Sequence, residues 1–356
     1  MQYQARSFDK YMQTEERRGK RKMVKTKDAV NDMTVGTPAK LIIQFMIPVF
    51  LGNIFQQFYN IADSIVAGQF IGVKALAAIG STGSLMFFVT GWLNGLSSGF
   101  AILVSQWFGA KQYDKMRHYV AMSVYLAGGC AVLMTAGLLI ANEPILRMMN
   151  YSAEIMPEVK QYMGIIYAGL IVTAAYNSLA AFLRAIGDSK SPLYFLIISA
   201  VINVALDVVF IVVFGMGVEG CAYATVIAQA ISALLCFIYI VKKFPILHLT
   251  KSDRKISFQS FGRLLSLGIP MGLQFSITAI GTIIVQGAVN VYGETYMAGF
   301  SAAGKLQNMI MTVFVAFGAT VATYVGQNRG AGRMDRVKSG VRCTQVMILV
   351  WSVIAM

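Results

Sequence analysis

Residues 191–214 read SPLYFLIISAVINVALDVVFIVVF, and that stretch decides the class of the whole chain. At about 1.5 Å of rise per residue, such a run can cross the roughly 30 Å of a bilayer's hydrocarbon as one helix. It does not stand alone. Apolar runs of similar length fall at 41–66, 77–105, 119–141, 160–183, 218–241, 262–290, 297–325 and 339–356, which with 191–214 makes nine spans. The 356 residues are 56% hydrophobic and 13% charged, with a mean hydropathy of +0.62, a composition foreign to soluble domains. An all-α integral membrane protein is expected, because a helix satisfies its own backbone polar groups in hydrocarbon.

The first residues differ. The run RSFDKYMQTEERRGKRKMVKTKD is charged and poor in aliphatics, and residues 1–33 read as a charged cytoplasmic tail. Two readings of it stay open: contact with anionic lipid head groups, or a solvated tail with the true start at Met23 or Met33. It lacks the short apolar core and cleavage site of a secretory signal. If the tail and alternate loops are placed in the cytoplasm, 26 of the 30 lysines and arginines fall there, so the N-terminus is expected inside. The opposite loops carry Glu143, Glu154, Glu158, Glu219 and Glu294. The net charge of +14 then reports topology and implies no nucleic-acid partner. Cys130, Cys221, Cys236 and Cys343 lie in or beside spans without metal-ligand spacing and read as packing residues.

Two segments repeat. Gln106-Trp-Phe-Gly109-Ala110 followed by Asp114-Lys115 matches Gln327-Asn-Arg-Gly330-Ala331 followed by Asp335-Arg336, and Ile47-Pro48 matches Ile269-Pro270. This predicts six spans per half, and halves joined after an even number of spans enter the membrane in the same direction, as a pseudo-twofold pair. The expected domains are a first six-helix lobe at 34–241, a cytoplasmic linker at 242–261 and a partial second lobe at 262–356. The sequence stops at Met356, inside the third span of the second half, as a fragment or a truncated product would. Pro48 and Pro270 lie inside helices and bend them, either as hinges or as fixed kinks. Gly91, Gly95 and Gly99, four apart, make a smooth stripe for close helix contact.

Of the sixteen Asp and Glu residues, only Asp63 and Asp207 fall well inside the spans, Glu219 lying at the very edge of its own. An acid at the centre of a span costs roughly 2.5–3.5 kcal/mol, which makes each a functional-site hypothesis. Both come late in spans that run the same way, so they are expected at one depth. Tyr59 precedes Asp63, and Asn203 precedes Asp207, by one helical turn, so each pair shares a face. Low dielectric penalises a bare carboxylate, and either a bound proton or a sodium ion at Asp63, Asp207 and Asn203 relieves it. The competing reading makes Asn203 and Asp207 interhelical hydrogen-bond glue. Gln44, Asn53, Gln56, Gln57 and Asn60 make the first span polar enough for one face to meet a cavity. Lys305, the one basic residue deep in a span, either lines that cavity or snorkels to the nearer surface. Met86, Phe87, Phe88, Met309, Met311 and Phe314 could form an adaptable apolar wall.

DMTVGTPAKLI at 32–42, IPVFLGNIFQQFYNIADSIVAGQFIG at 47–72, ALAAIGSTGSL at 75–85, QWFGA at 106–110 and LRAIGDSKSP at 183–192 resemble the multidrug and toxic compound extrusion transporters, from about residue 32 onward. The resemblance implies twelve helices in two lobes around a central cavity, exporting organic cations or other amphipathic compounds in exchange for Na+ or H+. It implies no cofactor, small-molecule substrates (organic cations and drugs), contact with membrane lipids, a monomer, and a plasma (inner) membrane location. The family's ion site in the first lobe matches Tyr59, Asp63, Asn203, Asp207 and Thr225, with Asn177 a looser match. The position answering to Asp63 in the second half is about Val285, so the acidic ligand that one branch of the family places on its seventh helix has no counterpart here.

Two other readings remain: a flippase of lipid-linked saccharides with the same two-lobed build, or a non-transporting membrane scaffold. An enzyme is not indicated. There is no nucleotide-binding loop or zinc-spaced cluster, and His118 and His248 sit at helix ends where solvation is expected.

Overall fold

The computed structural model describes residues 32–149, 151, 154–290 and 294–355, so the charged tail lies outside it. In chain order the helices are α1 (Pro38–Phe70), α2 (Val73–Ser81), α3 (Gly83–Gly109), α4 (Tyr113–Met148), α5 (Met156–Ala168), α6 (Leu170–Ala185), α7 (Lys190–Val208), α8 (Val218–Lys243), α9 (Phe258–Asn290), α10 (Glu294–Gly330) and α11 (Met334–Ile354). Among the described residues, eight helices are long and apolar enough to cross a membrane, with α2 and α3 counting as one run. The bent pair α5 and α6 makes a ninth, as the hydropathy pattern predicts.

The α5–α6 bend of 48° falls at Gly169. A Cβ there would strike the side chain of Val226 on α8, so glycine is what lets the broken span lie against its neighbour. Apolar side chains such as Ile43, Ile47, Ile61 and Ile65 on α1, and Leu349 and Val353 on α11, face outward, as suits helices surrounded by hydrocarbon.

The starts of α1, α4, α7, α9 and α11 gather with the ends of α3, α6, α8 and α10 at one end of the bundle. The loops there hold most of the lysines and arginines, and we call it the basic end. The segment between α8 and α9 docks against α4 at this end. Arg117 donates to Asp253 (3.0 Å), whose carboxyl also accepts from the Thr250 N–H (2.8 Å) and hydroxyl (2.6 Å). His118 bridges the Asp253 carbonyl (3.2 Å) and the Ser260 hydroxyl (2.9 Å), so it is tied to the linker where solvation was expected.

The glycine stripe on α3 meets α9. A Cβ at Gly95 would come within 2.5 Å of the Met271 carbonyl oxygen, and one at Gly99 within 2.6 Å of the Gly268 Cα. The two backbones touch because neither carries a side chain at the contact. Nearer the basic end, α3 crosses α10. A Cβ at Gly109 would strike the Gln327 carbonyl oxygen, and one at Gly330 would strike that of Gln106. The two copies of the sequence repeat therefore cross on each other reciprocally, as a pseudo-twofold pair requires. Gly83, at the other end of α3, has open space around it.

Candidate site at two buried carboxyls

Asp63 on α1, Asn203 and Asp207 on α7 and Thr225 on α8 come together in the interior. They are 4%, 0%, 0% and 3% exposed, so water contributes little to their polar atoms. Asn203 and Asp207 are one turn apart and share the face of α7 turned inward. Just after Asp207 the helix widens into a π-helical turn, Val209–Val213, a distortion often found beside functional residues.

Thr225 donates its hydroxyl to Asp63 Oδ2 at 3.2 Å. The Asp207 carboxyl and the Asn203 amide adjoin the Asp63 carboxyl as well. Asp63 is within hydrogen-bonding reach of Asp207 and Asn203, but without a proton between the carboxyls five buried atoms of the cluster find no partner of standard geometry among the described residues: Asp63 Oδ1, both Asp207 oxygens, and the Asn203 Oδ1 and Nδ2. Buried polar atoms are normally paired, because each one left unpaired costs about 1–3 kcal/mol. Such a cluster, four oxygens and one amide nitrogen, can take up a proton or offer oxygens to a small hard cation.

Two residues that the sequence did not single out lie in the neighbourhood of the site. Tyr162 on α5 and Cys221 on α8, one turn before Thr225, both lie near enough to interact with the two carboxyls. They are buried in an apolar cluster with Val66, Ala67, Ile211 and Val218, which walls the acids off. Among the described residues no three His, Cys, Asp or Glu side chains converge as a metal-binding group.

The remaining candidates separate. Asn177 is half-buried on α6 and is not among the groups that adjoin Asp63. Gln56 is exposed on α1. The side chains of Tyr59, Asn60 and Lys305 lie outside the described residues. Of the suggested apolar wall, Met86 and Phe88 pack against the core of the first six spans. Phe87, 43% exposed, instead meets Phe275 of α9 edge to face at 6.4 Å, where the glycine stripe ends. All four cysteines are free.

Comparison with known proteins agrees with this architecture. A family model described as MatE matches residues 48–209 and 270–356. The chain is 32% identical over 310 residues to the "Probable multidrug resistance protein YpnP" of Bacillus subtilis, an alignment spanning 86% of this chain and 68% of that protein. It is 30% identical over 305 residues to "Probable multidrug resistance protein YoeA" of the same organism, spanning 84% and 66%. The chain thus spans about two thirds of the length of these relatives. A solved structure described as an outward-facing multidrug resistance MATE family transporter of the MOP superfamily shares the fold. Its TM-score is 0.84 at 22% identity, over 90% of this chain and 72% of that one.

Proposed function

The chain belongs to the MatE family of multi-pass membrane transporters, and from that premise we propose that it is a secondary antiporter that exports organic cations or other amphipathic compounds in exchange for Na+ or H+. The observation that carries the coupling half of this reading is the cluster of five unpartnered buried polar atoms on Asp63, Asn203 and Asp207.

Two adjacent carboxylates in a low-dielectric interior cannot both keep a bare charge. A proton on one turns it into a donor to the other. A sodium ion instead takes oxygens from both carboxyls, with the Asn203 carbonyl and the Thr225 hydroxyl nearby. Either event changes the local charge and draws α1, α7 and α8 together. Helix α1 carries Asp63 on one side and packs against α10 and α11 on another, so a shift of α1 reaches the second copy of the repeat. Ion binding then biases a two-state equilibrium between arrangements open at opposite ends, and substrate leaves in the arrangement that the ion favours.

In this reading the lobes are residues 34–241 and 262–356, working as a monomer in the plasma membrane with the basic end in the cytoplasm. No cofactor takes part, and energy comes from the ion gradient. The test is substrate efflux from vesicles with sodium and proton gradients imposed separately. Exchange should follow at least one gradient and vanish in Asp207→Asn inserted to the same level. Undiminished exchange in that variant would contradict the coupling role.

A further inference from the structure

Residues 32–36, ahead of α1, lie outside any helix, so their backbone groups need partners from elsewhere. The Thr34 and Val35 N–H groups turn back to Asp32, at 2.9 and 3.3 Å, and side chains at the adjoining ends of α10 and α11 supply others. The Met33 N–H donates to Gln327 Oε1 at 3.0 Å, and the Met33 carbonyl accepts from Asn328 Nδ2 at 3.1 Å and Arg336 Nη2 at 3.2 Å. The same Gln327 amide donates through Nε2 to the Ala185 carbonyl at 2.9 Å, in the last turn of α6, where carbonyls lack helical partners.

Gln327 and Asn328 are both 0% exposed, so these bonds are shielded from water. The Met33 side chain is 1% exposed and sits in an apolar cluster with residues of α1 and α10. One buried amide therefore joins the segment before α1, the end of α6 and the end of α10, beside the Gly109–Gly330 crossing at the basic end. Guanidinium groups add to these contacts: Arg336 Nη1 donates to the Gly36 carbonyl at 2.9 Å and Arg333 Nη1 to the Thr34 carbonyl at 3.2 Å, so three of the five bonds that hold the segment to α10 and α11 come from charged donors.

We propose that residues 32–36 are a strap clamped across the basic end by Gln327, Asn328 and Arg336, and that releasing it is a step in opening that end. The cycle in which it opens rests on the exchange reading above, whereas the clamp rests on the hydrogen bonds alone.

The test uses the chain with Cys130, Cys236 and Cys343 replaced by alanine, Cys221 kept because it is buried beside the carboxyls, and an added reporter, Thr34→Cys, buried in the strap. Its labelling rate with N-ethylmaleimide should rise about tenfold in Gln327→Met, which keeps the side chain's shape but loses two neutral hydrogen bonds. Arg336→Ala should raise it too, and serves as an independent second variant. An unchanged rate in both overturns the strap. A parallel reporter, Ser105→Cys, buried in the α3–α10 crossing, reads the cycle itself, because its labelling should respond to sodium or pH. Faster Thr34→Cys labelling in the variants, with no ion response at Ser105→Cys, would support the strap and contradict the exchange reading. The opposite pattern would support exchange and overturn the strap.

Discussion

Gly109 and Gly330 occupy equivalent places in the two copies of a repeated motif, and each lies against the main chain of the other copy's glutamine. Neither tolerates a Cβ without moving a backbone, and overpacking of this kind typically costs about 1–3 kcal/mol. Gly109→Ala and Gly330→Ala should each lower the unfolding temperature in detergent. Gly128→Ala, in open space on α4, should leave it unchanged or raise it slightly. Equal melting temperatures for all three would show that the crossing is looser than described.

Among the described residues, Thr225 is the hydroxyl that donates to the carboxyl pair. Hydrogen bonds to charged groups contribute about 1.5–3 kcal/mol, so Thr225→Val should weaken the cation response of the site by roughly tenfold or more. Thr225→Ser should retain most of it. The readout is the sodium or proton concentration that gives half-maximal thermal stabilisation. A midpoint identical to that of the parent would remove Thr225 from the site.

At the basic end, burial alone would raise the Asp253 carboxyl. The Thr250 hydroxyl and N–H and the Arg117 guanidinium outweigh it, and hold the group below its ordinary value. A depressed carboxylate stabilises fully above the ordinary value of about 3.9, and that contribution fades as pH falls through its lower folded value. At neutral pH the linker should therefore be docked. Asp253→Asn should release it and speed tryptic cleavage at Lys251, Arg254 and Lys255 by roughly tenfold, if opening equilibrates faster than cleavage. The parent should show the same release only in strong acid, followed by hydrogen exchange. Equal cleavage of parent and variant would mean that Asp253 does not pin the linker.

The fold was legible to the extent that cost is legible. Nine long apolar runs admit one class of structure, and the Gln-x-x-Gly-Ala repeat announced the pseudo-twofold that its two glycines then make by direct contact. Asp63 and Asp207 stood out because a carboxylate inside hydrocarbon is expensive, and Asn203 because it sits one turn from such an acid. Tyr162 and Cys221 did not stand out. A tyrosine or cysteine in an apolar span carries no comparable penalty, and which way it faces depends on how α5 and α8 pack. Thr225 was reached through family resemblance alone, since a lone threonine is ordinary in a membrane helix.

Long-range partners were equally silent. Nothing in Gly91-xxx-Gly95-xxx-Gly99 says that its partner is α9, more than 160 residues away, because a smooth surface specifies closeness but not identity. His118 looked like a solvated histidine at a helix end. Its bonds to Asp253 and Ser260 exist only because the linker folds back onto α4.

The central claim is that Asp63 and Asp207 together hold a proton or a sodium ion. It is tested most directly by the thermal stability of the purified chain, measured from pH 5 to 9 with and without sodium, for the parent, Asp63→Asn and Asp207→Asn. The account predicts a shift with sodium or with pH in the parent that is lost in both variants, while the variants remain folded. A response that persists unchanged in either variant would place the ion elsewhere and contradict the account.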